Sequence, residues 1–261
     1  MRPIQSKIAI VAVLIVGLLQ FSACSSSEVT ESQSSSTKPL ASQAAESENS
    51  LIPEATPEVD NNIVPELEPV LPVTITDAVG NTITINSVER IIPLDGSVAE
   101  VVFALNLGAN VVATDRSATW PPEASELPQI GYQRSLLAEP IAGFTPTVLI
   151  GTEIAGPEKT LDDLRRLGYP VVIVPSEATM QGPAQKIRAV AEALGVPNRG
   201  EELATQMEKT IISNTQVFED DKRPVVAALY IRGTGTQLVL GRNSATHWLI
   251  NAAGGKNVAD I

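Results

Sequence analysis

One cysteine, one histidine and nine aromatic side chains among 261 residues leave little material for most kinds of chemistry. A lone thiol forms no internal disulfide and no cysteine-based metal cluster. His247 is the sole imidazole, so Ser-His-Asp or Cys-His machinery has one place to stand, and no Gly-x-Ser-x-Gly elbow accompanies it. A P-loop is missing. Gly233-Thr234-Gly235 starts like a dinucleotide fingerprint, but Leu238 occupies the third glycine's place, and the segment reads as a hairpin turn between two strands. Positive charge is scarce as well: 18 Lys and Arg face 30 Asp and Glu, a net charge of −12. That balance excludes a nucleic-acid surface, which needs a basic footprint. These absences set enzymes aside, a metal-dependent enzyme included, and leave binding as the function to look for.

What is present begins with a targeting segment. Arg2 and Lys7 precede an apolar run of 12 residues, Ile8 to Leu19, which has the length of a signal-peptide core. It falls short of the roughly 20 residues that span a bilayer. Residues 1–23 are therefore expected to be a signal peptide. Phe21-Ser22-Ala23-Cys24 resembles a bacterial lipobox, with Phe21 where leucine is usual. Cys24 is then the expected lipidation site, and two or more acyl chains make such an anchor stable. The chain is expected to be exported and held on a membrane, facing the periplasm or the cell exterior. The 48 residues from Ser25 to Pro72 hold ten Ser, six Pro, nine Asp or Glu and no aromatic ring. A stretch with so little to bury does not offset the entropy of ordering, so residues 24–72 are expected to form a disordered tether.

Foldable sequence starts near Val73. Val73–Thr76 and Thr82–Ile85 alternate around Asp77, Gly80 and Asn81, which predicts a β-hairpin. Arg90–Leu94, Val111–Thr114, Thr147–Ile150 and Val171–Val174 are short apolar runs separated by helical patterns. That alternation predicts an α/β fold, a parallel sheet with helices on both faces. The first helix starts at Gly96-Ser97 and runs to about Leu107, with either Ser97 or Asp95 as its cap. Another spans about Pro157–Leu167 and closes at Gly168. Two helical stretches then flank Gly195-Val196-Pro197, and a strand over Val225–Ile231 pairs with Gln237–Leu240 before a helix over Ala245–Ala253. The expected organisation is a complete α/β lobe over 73–195, a spine helix over 196–219 and a partial C-terminal lobe over 220–261.

The irregular stretch from Asp115 to Ser135 stands out. It leaves the carboxyl end of a parallel strand, where open α/β folds bind ligands. Trp120 and Tyr132 lie within it in a chain poor in aromatics, with Gly131 and Arg134 alongside. Either ring can instead serve to pack the loop.

The runs Arg90-Ile-Ile-Pro-Leu-Asp-Gly-Ser-Val-Ala-Glu100, Gly131-Tyr-Gln-Arg-Ser-Leu-Leu-Ala-Glu139, Thr145-Pro-Thr-Val-Leu-Ile150 and Gly241-Arg-Asn-Ser-Ala-Thr246 resemble a known family. It comprises the substrate-binding proteins with a helical spine between two lobes that serve ABC importers for haem, ferric siderophores and cobalamin. The likeness covers about Val88 to Ile261 and is greatest to the haem-binding branch, chiefly through Gly131-Tyr132-x-Arg134. The resemblance implies a two-lobed periplasmic-binding-protein fold whose N-terminal lobe is complete and whose C-terminal lobe is truncated here. It makes haem the carried ligand, Tyr132 the axial ligand of ferric haem and Arg134 its hydrogen-bonding partner. Phenolate is a hard donor that suits Fe(III). A free phenol ionises only near pH 10, so a neighbouring cation that favours the anion belongs in such a site. Ser97, Trp120 and Arg116 join the ligand-contacting set, with Arg232 and Arg242 as further cations for propionates. His247 is the candidate second iron ligand. Glu139 is implied to dock on the importer's permease. A ferric siderophore or cobalamin remains the alternative ligand.

Overall fold

The computed structural model describes residues 68–260. The expected signal peptide, Cys24 and nearly all of the expected tether lie outside those residues. Strands β1 (Val73–Thr76) and β2 (Thr82–Ile85) form the expected antiparallel hairpin, with Val73 opposite Ile85. Its turn closes on Asp77, whose Oδ1 accepts from the backbone of Val79 at 3.1 Å and of Asn81 at 2.7 Å. Gly80 takes the left-handed conformation that the turn requires, φ 89°. The other oxygen of Asp77 accepts from the Ile173 amide, so the turn is fastened to the main sheet.

That sheet consists of β3 (Ile91–Pro93), β4 (Val148–Thr152) and β5 (Val171–Val174), all parallel, in the order β3-β4-β5. Burial on both faces explains why each strand reads as a continuous apolar run. Ile91, Val148, Ile150, Val172 and Val174 pack with Val98 and Val102 of α1 (Gly96–Ala104) and Val190 of α5 (Gly182–Ala193). Ile92, Leu149, Val171 and Ile173 pack on the opposite side with Ile141 of α3 (Ala138–Ala142) and Leu161 and Leu164 of α4 (Glu158–Arg166). A short α2 (Pro122–Ser125) lies in the long loop between α1 and α3.

Two expectations need correction here. Val111–Thr114 is not a ladder strand. Its bonds are divided: the Val112 amide donates to Ile91 on β3, while Thr114 bonds with Pro128 and Ile130 of the loop, leaving only isolated bridges. The first helix also stops at Ala104, before Leu107. Asn106 turns left-handed at φ 55° and ends it, a conformation asparagine tolerates better than most residues.

Helices α5 and α6 (Pro197–Asn214) form an antiparallel pair across the turn at Gly195, where φ is 74°. Gly200 permits their close crossing, since a Cβ there would lie 2.2 Å from that of Ala191. Arg188 ties the two helices, 2.7 Å from both Glu201 and Glu208. The helix of the expected 196–219 spine ends at Asn214. Beyond it, the strand expected over Val225–Ile231 is split between two sheets. β6 (Val225–Val226) pairs in parallel with β9 (Lys256–Asn257), while β7 (Leu229–Arg232) pairs with β8 (Thr236–Val239) around the glycine turn. Helix α7 (Ala245–Ala252) ends at Gly254, as expected. Leu229, Ile231, Leu238 and Val239 are all more than half exposed, so the β7–β8 ribbon has no cover among the described residues. No helix among these residues is long and apolar enough to cross a membrane.

Candidate ligand-binding rim

The carboxyl ends of β3 and β4 meet at Asp95, which follows β3 and bonds to Thr152 of β4. Its buried carboxylate makes four hydrogen bonds. Oδ1 accepts from the Val98 amide at 3.1 Å and the Ser97 hydroxyl at 2.7 Å; Oδ2 accepts from the Thr152 amide at 2.8 Å and its hydroxyl at 2.9 Å. Asp95 is therefore the cap of α1, and it also locks that helix to the end of β4. The exposed Ser97 hydroxyl accepts in turn from Lys186 Nζ on α5, at 3.0 Å. The Gly96 amide donates to Ser117 Oγ at 2.9 Å, and a Cβ on Gly96 would come within 2.4 Å of the Ser117 carbonyl oxygen. Glycine at 96 lets the long loop press directly on the start of α1.

A second buried carboxylate, Asp115, holds the loop itself. It accepts from the Ser117 amide at 3.0 Å and hydroxyl at 2.8 Å. The Arg116 amide reaches the Gly131 carbonyl at 2.7 Å, and the Gly156 amide reaches that of Gln133 at 2.8 Å. Tyr132 thus stands between two pinned neighbours, with Gly131 at φ 108° supplying the turn before it. Tyr132 is 43% exposed and Trp120 63%. The loop is seated by small residues instead, Ala118 and Ala124 against Ala99. Trp120 is not its packing residue.

Burial raises the Asp115 pKa, and the nearby Asp95 carboxylate pushes the same way, against hydrogen bonds from Ser117 that favour the anion. A carboxylate with a raised folded pKa binds protons more tightly folded than unfolded. Its contribution to stability is greatest at acid pH and falls as pH rises from the ordinary carboxylate range through the raised pKa. Asp115→Asn is expected to remove that decline, read as the difference in urea midpoint from wild type across the acid-to-neutral range. A difference that does not change with pH would show that burial does not dominate at this carboxylate.

Ser97, Arg116, Trp120, Tyr132 and Arg134 are all exposed. The expected hydrogen bond between Tyr132 and Arg134 is not formed. The residue between them, Gln133, is buried with its carbonyl engaged by Gly156, and the two flanking side chains are left in solvent. His247 lies apart in α7, half-buried, with Nε2 3.2 Å from Asn251 Nδ2 one turn on. Arg232 and Arg242 are exposed in the C-terminal segment. Glu139 is exposed in the first turn of α3. Sequence reasoning passed over Asp115 as a clasp and Lys186 altogether. Lys186 acts through Ser97, 89 residues away along the chain, so no local pattern marks it; Asp115 acts on Ser117, two residues on, within the loop that the sequence already set apart. Among the described residues no group of three or more His, Cys, Asp or Glu is arranged to hold a metal ion.

Residues 91–261 match the family described as periplasmic binding protein. The periplasmic heme-binding protein RhuT from Roseiflexus sp. RS-1, in its apo form, is similar at 47% identity and a TM-score of 0.62, covering 66% of each chain. A periplasmic heme-binding protein from Pseudomonas aeruginosa is similar at 30% identity and a TM-score of 0.59, covering 66% of this chain and 63% of that one. A vitamin B12-binding protein of Vibrio parahaemolyticus is 23% identical over 181 residues, 66% of this chain and 61% of that protein. The chain spans about three-fifths of the length of the curated relatives it matches.

Proposed function

This chain belongs to the periplasmic binding protein family, and we propose that it captures ferric haem and passes it to the permease of an ABC importer. The family and the relatives named above are binding proteins, not enzymes. The observation that carries the haem reading is Tyr132, a phenol held out on the rim between the pinned backbones of Gly131 and Gln133. Phenolate oxygen is an established ligand of ferric haem. The 47% identity to a heme-binding protein supports the same choice. Arg134 and Arg116, exposed on either side, supply the cations for a phenolate and for propionates. Trp120 offers a ring face to a flat ligand. Residues 73–195 would form one lobe, α6 the spine and residues 220–261 part of a second lobe, to which the uncovered apolar ribbon β7–β8 and the candidate ligand His247 belong. Glu139, exposed on α3, is the residue proposed to meet the permease.

Titration with hemin tests the ligand. A high-spin ferric spectrum with a tyrosinate charge-transfer band is the expected result. The second reading, cobalamin, is favoured by the vitamin B12-binding relatives at 23–24% identity. A parallel titration with cyanocobalamin that binds, together with an unshifted Soret band for hemin, would replace haem by a corrinoid.

The anchor is part of the same proposal and rests on the sequence around Cys24. Cys24→Ala is expected to abolish labelling by radioactive palmitate and to release the protein from the membrane fraction. Unchanged labelling would remove Cys24 as the lipid site.

A further inference from the structure

We infer that Lys186, together with the Ser97 hydroxyl, forms a carboxylate-binding subsite on the rim. The first ground is charge. Acids outnumber bases 30 to 18 in this chain, and cations such as Lys159, Arg165, Arg166, Arg188 and Lys256 each meet a carboxylate. Lys186 does not. Its ammonium lies 3.0 Å from Ser97 Oγ and makes no ion pair among the described residues. The second ground is hydrogen-bond arithmetic. Ser97 spends its proton on Asp95, so its oxygen takes one of the three ammonium protons, and two donors remain for a ligand. The third is position. Ser97 lies in the first turn of α1, just after β3, and Lys186 lies in the first half of α5; the two helices touch, and this pair links them.

Asp95, which shares Ser97 with Lys186, is buried and already saturated by four hydrogen bonds. It orients Ser97 and does not compete for the ammonium directly. Arg116 and Arg134 are exposed on the loop and Lys186 belongs to α5, so cations from separate elements are available to an anionic ligand. On a molecule of net charge −12, such local cations are what lets an anionic ligand approach.

The inference rests on the haem reading, and the ligand group concerned is a propionate. The test compares ferric protoporphyrin IX with its dimethyl ester, which lacks the carboxylates, by absorbance titration of wild type, Lys186→Met and Lys186→Arg. Wild type should bind the free acid more tightly than the ester. Lys186→Met should lose about tenfold in affinity for the free acid and nothing for the ester, as removal of one charge-assisted hydrogen bond implies. Lys186→Arg should keep most of the affinity. If Lys186 serves only as a counter-charge to Asp95, Lys186→Met weakens both porphyrins equally or neither, and the subsite is refuted while the haem reading stands. Wild type that binds neither porphyrin removes the haem reading and the subsite together. Lys186→Gln, which keeps a hydrogen-bond donor, provides the comparison should the methionine variant fold poorly.

Discussion

Asp95→Ala is expected to cost about 3–5 kcal/mol of folding stability, the largest loss from any single substitution on the rim. Three effects add. The cap of α1 disappears, worth about 1 kcal/mol where such caps have been removed. The Thr152 amide, which donates to Asp95 at the buried end of β4, loses its acceptor, and a stranded donor of that kind costs about 1–3 kcal/mol. The Thr152 hydroxyl, equally buried, loses its partner too. Relief of the burial of a charge offsets part of the total, which keeps the estimate below the full sum. Asp95→Asn should fall between, because the amide retains one acceptor and presents an NH2 group where the other is needed. Ser97→Ala gives the contrast: it loses an exposed link to Lys186 and should stay within about 1 kcal/mol of wild type. Urea unfolding of the three variants reads these differences. An Asp95→Ala midpoint close to that of Ser97→Ala would show that the junction of α1 with β4 does not depend on this carboxylate.

Asp95 also shows where sequence stopped being legible. Its place before an apolar helical pattern marked it as one of two possible caps, a local decision. Its bond to Thr152 joins residues 57 apart, and nothing in a local window reports that. The same division runs through the fold. Val171–Val174 and the Asp77–Asn81 turn were readable because burial on both faces and a left-handed glycine leave a mark in adjacent residues. Val111–Thr114 misled because its apolar pattern is that of a strand, yet its backbone bonds go to two different segments. Val225–Ile231 misled for a related reason, since each half pairs with a different partner on either side of Ala227 and Ala228. At the rim, the scarcity of aromatic rings and the place of the loop drew attention to Trp120 and Tyr132, and both rings are exposed. The backbone bonds beneath them, Arg116 to Gly131 and Gly156 to Gln133, join residues 15 and 23 apart in the chain, and only the folded backbone discloses them.

Tyr132→Phe is expected to abolish the tyrosinate charge-transfer band of the hemin complex while leaving the fold intact. The reasoning separates the oxygen from the ring. Tyr132 is 43% exposed, and the bonds that hold its loop run through the Gly131, Gln133 and Tyr132 backbones. Losing one exposed hydroxyl should therefore change stability by no more than about 0.5 kcal/mol, the usual range for a surface substitution. Affinity is another matter. Removing an outer partner of a metal ligand typically costs about 10–100-fold, and removing the ligand atom itself should cost more than that. Arg134→Ala should weaken hemin binding less than Tyr132→Phe, because it deletes a charge that favours phenolate and leaves the iron–oxygen bond available. Tyr132→Ala should match the phenylalanine variant in its spectrum and fall below it in retained affinity, since it also deletes the ring surface against a flat ligand. The decisive result is the spectrum of Tyr132→Phe with hemin. A wild-type band and wild-type affinity in that variant would make Tyr132 a surface ring without a bond to iron, and His247 on α7 would become the side chain to replace next.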